Sequence, residues 1–236
     1  MTSEPRTADA VAAFRDDIAA WALPERVAPL LAPGLARETA QRLMRSRTLR
    51  APCSAWLART LGPVEGFDAL DPQQQRLVLA DGEVLDKAAF LAAAVWHARR
   101  ICALVLAPDI AAFVAEHGQA ARDAALRHLS LTPAPAEISA PPAAADTPQR
   151  ADLTALMAAD GRACVAAWID QLPAAIGARV RMKLPYGRDV PPRTPHNQYG
   201  PPIVRAIAAF APPAADTPDV ALARHAVRAI MRGEAR

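Results

Sequence analysis

The chain has 236 residues and a mass of 25.0 kDa, and hydrophobic residues make up 52% of it. A chain this long and apolar buries a core and is excluded from the disordered class. Its formal net charge of +3 is too mild to point to nucleic acid by itself.

The N-terminal stretch MTSEPRTADA lacks a basic region followed by an apolar one and does not read as a secretory signal. The first helix is expected from about Thr7 to Trp21, ending before Pro24. A second, from Gly34 to about Arg47, carries Arg37, Arg42, Arg45 and Arg47. Pro52 opens a short helix with Trp56 and Leu57, and GPVEGFDAL at 62–70 reads as loop. Asp71-Pro72 is a helix start, a capping side chain followed by proline at the first helical position. The run it opens is expected to stop at Gly82, as a C-terminal glycine.

Asp86 is then expected to cap a long helix. Leu91, Val95, Ala98, Cys102 and Val105 form one apolar stripe on it, and Phe90, Ala94, Ile101 and Leu104 form a parallel one. The run 88–107 has the length of a membrane span, but His97, Arg99 and Arg100 sit near its middle. Each arginine would cost roughly 2.5–3.5 kcal/mol on insertion, so the run reads as a buried helix of a soluble protein. Pro108 breaks it. Asp109 caps the next helix, which stops at Gly118, and another runs from Gln119 to about Leu129.

Residues 132–148 hold five prolines and six alanines and read as a linker or loop. They divide an N-terminal helical part, 1–131, from a C-terminal one, 149–236, with the two expected to pack as one domain. Helix returns at about Asp152 to Gln171, with Leu153, Leu156, Met157, Val165, Trp168 and Ile169 as core candidates. In ARVRMKLPYG at 178–187, Arg179, Arg181 and Lys183 alternate with Val180, Met182 and Leu184. That is the two-residue period of a half-buried edge strand with its basic face in water. Residues 185–202 carry six prolines and read as loop, and Thr217-Pro218 starts a last helix that stops at Gly233. The expected fold is mainly α: a single helical domain with one short basic strand near 178–184 and a Pro/Ala-rich insertion.

Catalytic patterns find no footing. Cys53, Cys102 and Cys164 form no CxxC pair, a usage that fits a reducing compartment. The histidines at 97, 117, 128, 196 and 225 are scattered and read as surface groups near helix ends. Ser54 lacks a GxSxG elbow, and no phosphate-binding glycine loop is present. No catalytic, cofactor-binding or metal-binding residue is nominated, and the chain is expected to be no enzyme. Trp21, Trp56, Trp96 and Trp168 read as core anchors.

Two readings of the basic residues remain. The cluster Arg37–Arg50 could track phosphates from one helix face, which makes a nucleic-acid-binding regulator the alternative function. Aromatic residues for base stacking do not interleave it. Polar groups in an apolar run must reach water, a carboxylate or another chain, and a short strand offers an edge that another chain can complete. The nominated partner-binding residues are therefore Arg99, Arg100, Arg179, Arg181 and Lys183.

The order of features resembles a known family. LDPQQQRLVLADGEVLDKAAFLAAAVWHARRICALVLAPDIAAFVAEHGQAARDAALRH is similar to the central helices of the SctK (YscK-like) proteins of bacterial type III secretion. MAADGRACVAAWIDQLPAAIGARVRMKLP resembles that family's glycine–alanine–tryptophan helix, leading into a basic-apolar segment that closes on Leu-Pro. The resemblance covers about residues 70–186 and is one of order and texture. It implies a mainly helical, non-enzymatic, cytosolic adaptor without cofactor, working at the cytosolic face of the inner membrane without inserting. Such proteins link the cytoplasmic domain of the ring protein SctD to the pod protein SctQ. SctQ leads onward to the stalk SctL and the ATPase SctN. No nucleic-acid partner is implied.

Overall fold

A computed structural model describes residues 4–134, 150–185 and 194–208, and every regular element among them is helical. The first unit comprises α1 (Glu4–Asp16), α2 (Ile18–Trp21), α3 (Pro24–Leu31), α4 (Arg37–Arg45) and α5 (Arg50–Leu61). Then come α6 (Pro72–Leu79), α7 (Gly82–Trp96), α8 (Ala98–Cys102), α9 (Ala107–His117), α10 (Gln119–Arg127) and a 3-10 turn, η1 (Leu129–Leu131). After the insertion follow α11 (Arg150–Asp170), α12 (Ala174–Arg181) and α13 (Thr194–Ala208). The mainly α expectation holds.

Small side chains decide where the core sits. On α7, Ala88, Ala89, Ala92, Ala93 and Ala94 are all buried, so neighbouring backbones approach closely on several sides. α11, α10 and α13 pack on this helix. Gly161 of α11 lies so near α7 that a Cβ there would stand 2.1 Å from the Ala89 carbonyl oxygen. Gly200 of α13 meets the Cα of Cys164 in the same way, at 2.9 Å. Trp96 and Trp168 are buried in this centre, as anchors should be, while Trp21 and Trp56 are only partly covered. A second cluster joins Ile18, Val27, Met44, Cys53 and Leu57 of the N-terminal helices to Met182, far along the chain.

The two-residue alternation at 178–184 did not make a strand: it belongs to α12 and the turn after it. No other strand stands beside it among the described residues, so its amides must be satisfied locally. Ile176, Val180 and Leu184 also fall at intervals of four, and all three are buried as one helical stripe. The turn is closed by Met182 N–H to Arg179 O and Leu184 N–H to Arg181 O.

Other boundaries move for physical reasons. Asp81, not Asp86, caps α7, its carboxylate accepting from Val84 N–H at 2.9 Å. Gly82 thus opens a helix instead of closing one, and a Cβ there would lie 2.7 Å from the Lys183 carbonyl oxygen. The long helix stops at His97, and Val105 leaves the buried stripe and is exposed. Asp17 separates α1 from α2, and Pro24 starts α3 instead of merely ending its predecessor. Part of the 185–202 stretch forms α13, with Pro201 and Pro202 inside it. Asp71 caps α6 as expected, accepting from Gln73 and Gln74 N–H at 2.9 Å each. The helix expected from Thr217 and most of the 132–148 segment lie outside the described residues. Among the described residues, no helix is long and apolar enough to cross a membrane.

Candidate functional site

The basic residues nominated from the sequence part company. Lys183 is buried, and its ammonium donates to the carbonyls of Val78 and Ala80, both at 2.7 Å. Those oxygens end α6 and have no helical donor of their own, so the lysine caps the helix from outside. Its Nζ also lies 4.9 Å from the ring centre of Phe14 and 5.2 Å from that of Trp21. Burial pulls its pKa down from 10.5 to about 7, with Asp81 opposing.

Arg179 is buried too, donating to the Ala175 carbonyl at 3.2 Å, and burial lowers its pKa while Asp16 opposes. Arg181 remains half-exposed and pairs with Asp170 at the end of α11. The basic face expected in water is therefore mostly inside the molecule. The alternation hid this because long basic side chains can run inward to satisfy carbonyls.

Lys183→Met should lower unfolding stability by about 2 kcal/mol, since it leaves two helix-end carbonyls without their donor. Urea denaturation measures this; an unchanged midpoint would refute the capping role. The pH dependence has a definite sign. The folded pKa lies below the unfolded one, so between about 7 and 10.5 the unfolded chain binds more protons. Wild-type stability should gain with rising pH across that window relative to the methionine variant.

Arg99 and Arg100 behave as nominated in one respect. Both are exposed at the head of α8, and neither side chain makes a hydrogen bond or ion pair among the described residues. His97, which precedes them, turns the other way. It is buried, and its Nε2 lies 2.9 Å from Oδ2 of Asp160 on α11. His196 of α13 brings its Nε2 to 3.1 Å from the other oxygen, and its ring stacks on Trp96 at 4.2 Å.

Burial alone would raise the Asp160 pKa. The hydrogen bonds from His196 and His97 outweigh burial and hold the carboxyl at about 2. An ionised carboxylate only accepts, so both Nε2 atoms carry the proton. One acid thus ties α11 to α13 and to the break between α7 and α8.

The surface reading of the histidines fails for His97, His117 and His196, which are all buried. His117 sits against Phe113 and Phe90, at ring separations of 4.7 and 6.0 Å. Nothing in the local sequence marks the Asp160 pair, because its partners lie 63 and 36 residues away. Cys164 lies near the same acid, and burial together with that negative charge pushes its thiol up and disfavours the thiolate. Ser54 donates to Asp17 and accepts from Ala19 N–H, fastening α5 to α2. Among the described residues no His, Cys, Asp and Glu group has the geometry to hold a metal.

Within the Arg37–Arg50 cluster, Arg37 pairs with Glu25 at 3.6 Å and Arg50 with Asp17. The Arg50 guanidinium lowers the Asp17 pKa. Arg42, Arg45 and Arg47 stay exposed, Arg42 donating to the Thr39 hydroxyl at 3.3 Å.

No protein-family model and no solved structure matches this chain. It is, however, 30% identical over 173 residues to the nodulation protein NolU of Rhizobium fredii, across 73% of this chain and 74% of the relative. The chain belongs to the NolU family. NolU of Sinorhizobium fredii, strain NBRC 101917 / NGR234, matches with the same identity and coverage. Within this NolU-family fold, the nominated residues that remain reachable from outside are Arg99, Arg100 and, in part, Arg181.

Proposed function

We propose that this NolU-family chain is a non-enzymatic cytosolic adaptor of a type III secretion system, working at the cytosolic face of the inner membrane. It would join the cytoplasmic domain of the ring protein SctD to the pod protein SctQ, and through SctQ reach SctL and the ATPase SctN. The reading is carried by residues 70–186, whose order of features resembles SctK and whose helices α7 and α11 form the centre of the fold. Kinship with a rhizobial nodulation protein accords with work at the boundary between bacterium and host. Arg99 and Arg100, exposed and without a partner among the described residues, offer such an adaptor a contact. The nucleic-acid alternative is the weaker one, because Arg37 and Arg50 are already engaged by Glu25 and Asp17.

The test is size-exclusion chromatography with light scattering, on the chain alone and with each of the two neighbours from the same genome. A stable complex with either is expected, and Arg99→Glu with Arg100→Glu should weaken it about tenfold while the melting curve stays put. A monomer that ignores both proteins removes the adaptor reading. Complex formation that is indifferent to the double reversal removes the arginines from the interface.

A further inference from the structure

The geometry points to a docking surface at one end of the α7–α10 bundle that takes an acidic, amphipathic helix of a protein partner. Four large aliphatic side chains stand open there: Val105 is 78% exposed, Leu106 63%, Leu126 48% and Leu129 40%. Among the described residues only Leu49 shares this condition.

Topology gathers the four. His117 lies against Phe90, so α10 begins beside the middle of α7. From there α10 packs along α7 and on to α8, running in the same sense and ending near α8. The chain then turns back, and the Thr132 hydroxyl donates to the Val95 carbonyl at 2.9 Å. Leu126 and Leu129 therefore come to the end of the bundle where α8 leads into Val105 and Leu106.

Charge chooses the occupant. Arg99 and Arg100 stand exposed on the same short helix, unpaired within the described residues. Among the described residues, the carboxylates that α9 and α10 bring toward this end are Asp109, in the first turn of α9, and Asp123, which already accepts from Gln119 at 2.7 Å. An aliphatic patch edged by unpaired guanidinium groups favours a partner whose apolar anchors are flanked by Asp or Glu. An amphipathic helix supplies those anchors at three- and four-residue spacing.

A second copy of this chain fits poorly, because a two-fold contact through this patch would set Arg99 and Arg100 against their own equivalents. A membrane fits poorly as well. The patch has no aromatic residue among its open side chains, and α8 has only five residues, too short for an interfacial helix. The inference takes its biological meaning from the adaptor reading, but its test needs only this chain.

The experiment is a selection of displayed helical peptides against the full chain, followed by fluorescence anisotropy with the best peptide. Enriched sequences should carry Leu, Ile, Val or Met at helical spacing with Asp and Glu beside them. Affinity should fall about tenfold with Arg99→Glu plus Arg100→Glu, and as much with Val105→Ser plus Leu106→Ser. All four positions are exposed, so circular dichroism melts should not move. Enrichment without acidic residues, equal binding by both variants, or no enrichment at all would overturn the assignment.

So would binding to phosphatidylglycerol vesicles that the serine variant abolishes, or a dimer in sedimentation velocity that the same variant dissolves. A peptide result as expected, with no complex to SctD or SctQ, would keep the surface and discard the adaptor role. A complex with either protein that the serine variant leaves intact would do the reverse.

Discussion

Gly161→Ala is expected to lower the unfolding free energy by about 3 kcal/mol, the largest effect of a single methyl group in this protein. The added Cβ would meet the Ala89 carbonyl oxygen at 2.1 Å, the carbon behind it at 2.9 Å and the Ala93 Cβ at 3.0 Å. The obstacle is helix backbone, which cannot swing aside as a long side chain would. α11 would have to retreat from α7, loosening the buried contacts of Ala92, Val95, Val165 and Trp168. The sign runs against local preference, since alanine is better than glycine in a helix interior by about 1 kcal/mol. A urea midpoint that stays or rises in the variant would mean that the two helices are not in this contact.

Asp160→Ala should come next, at about 2–3 kcal/mol, because it strands two buried imidazoles without their acceptor. Its pH signature separates it from a simple packing defect. The carboxyl sits at about 2 when folded, below its ordinary value of 3.8, and is mostly buried. Its stabilising effect is complete above 3.8 and lost as pH falls toward 2, which amounts to about 2 kcal/mol for that shift. The stability gap between wild type and variant should therefore narrow across this acid window. Parallel acid-denaturation curves would refute the double imidazole clamp.

The first of these sites shows why parts of the fold were legible and others not. The α11 helix announced itself through Leu153, Met157, Val165, Trp168 and Ile169, and the cap of α6 through Asp71-Pro72. Both signals are local, and local propensity agrees there with tertiary demand. Nothing local marks the need for Gly161 inside the Ala-rich run, because its reason is another helix's backbone 72 residues earlier in the chain.

The 178–184 segment misled for a related cause. Seven residues satisfy a period of two and a period of four together, and the choice fell to where the amides and the Lys183 ammonium could be satisfied. The candidate surface was half legible. Arg99 and Arg100 betrayed themselves by being charged in an apolar run, whereas Val105 and Leu106 looked like core until the helix ended at Cys102.

The turn after α12 has a consequence in time as well as in space. Met182 completes the apolar cluster of the N-terminal helices, its carbonyl accepts from Leu23 N–H at 2.9 Å, and the Leu184 carbonyl accepts from Arg26 at 2.6 Å. As the chain leaves the ribosome, the cluster of the N-terminal helices must therefore wait for its last member, and Leu23 N–H and the Arg26 guanidinium for their acceptors, until this late segment emerges. Contacts of such sequence separation slow folding and lengthen the exposure of sticky intermediates. The N-terminal third is thus made early and finished late, and a chain cut before residue 182 would leave that third unsealed.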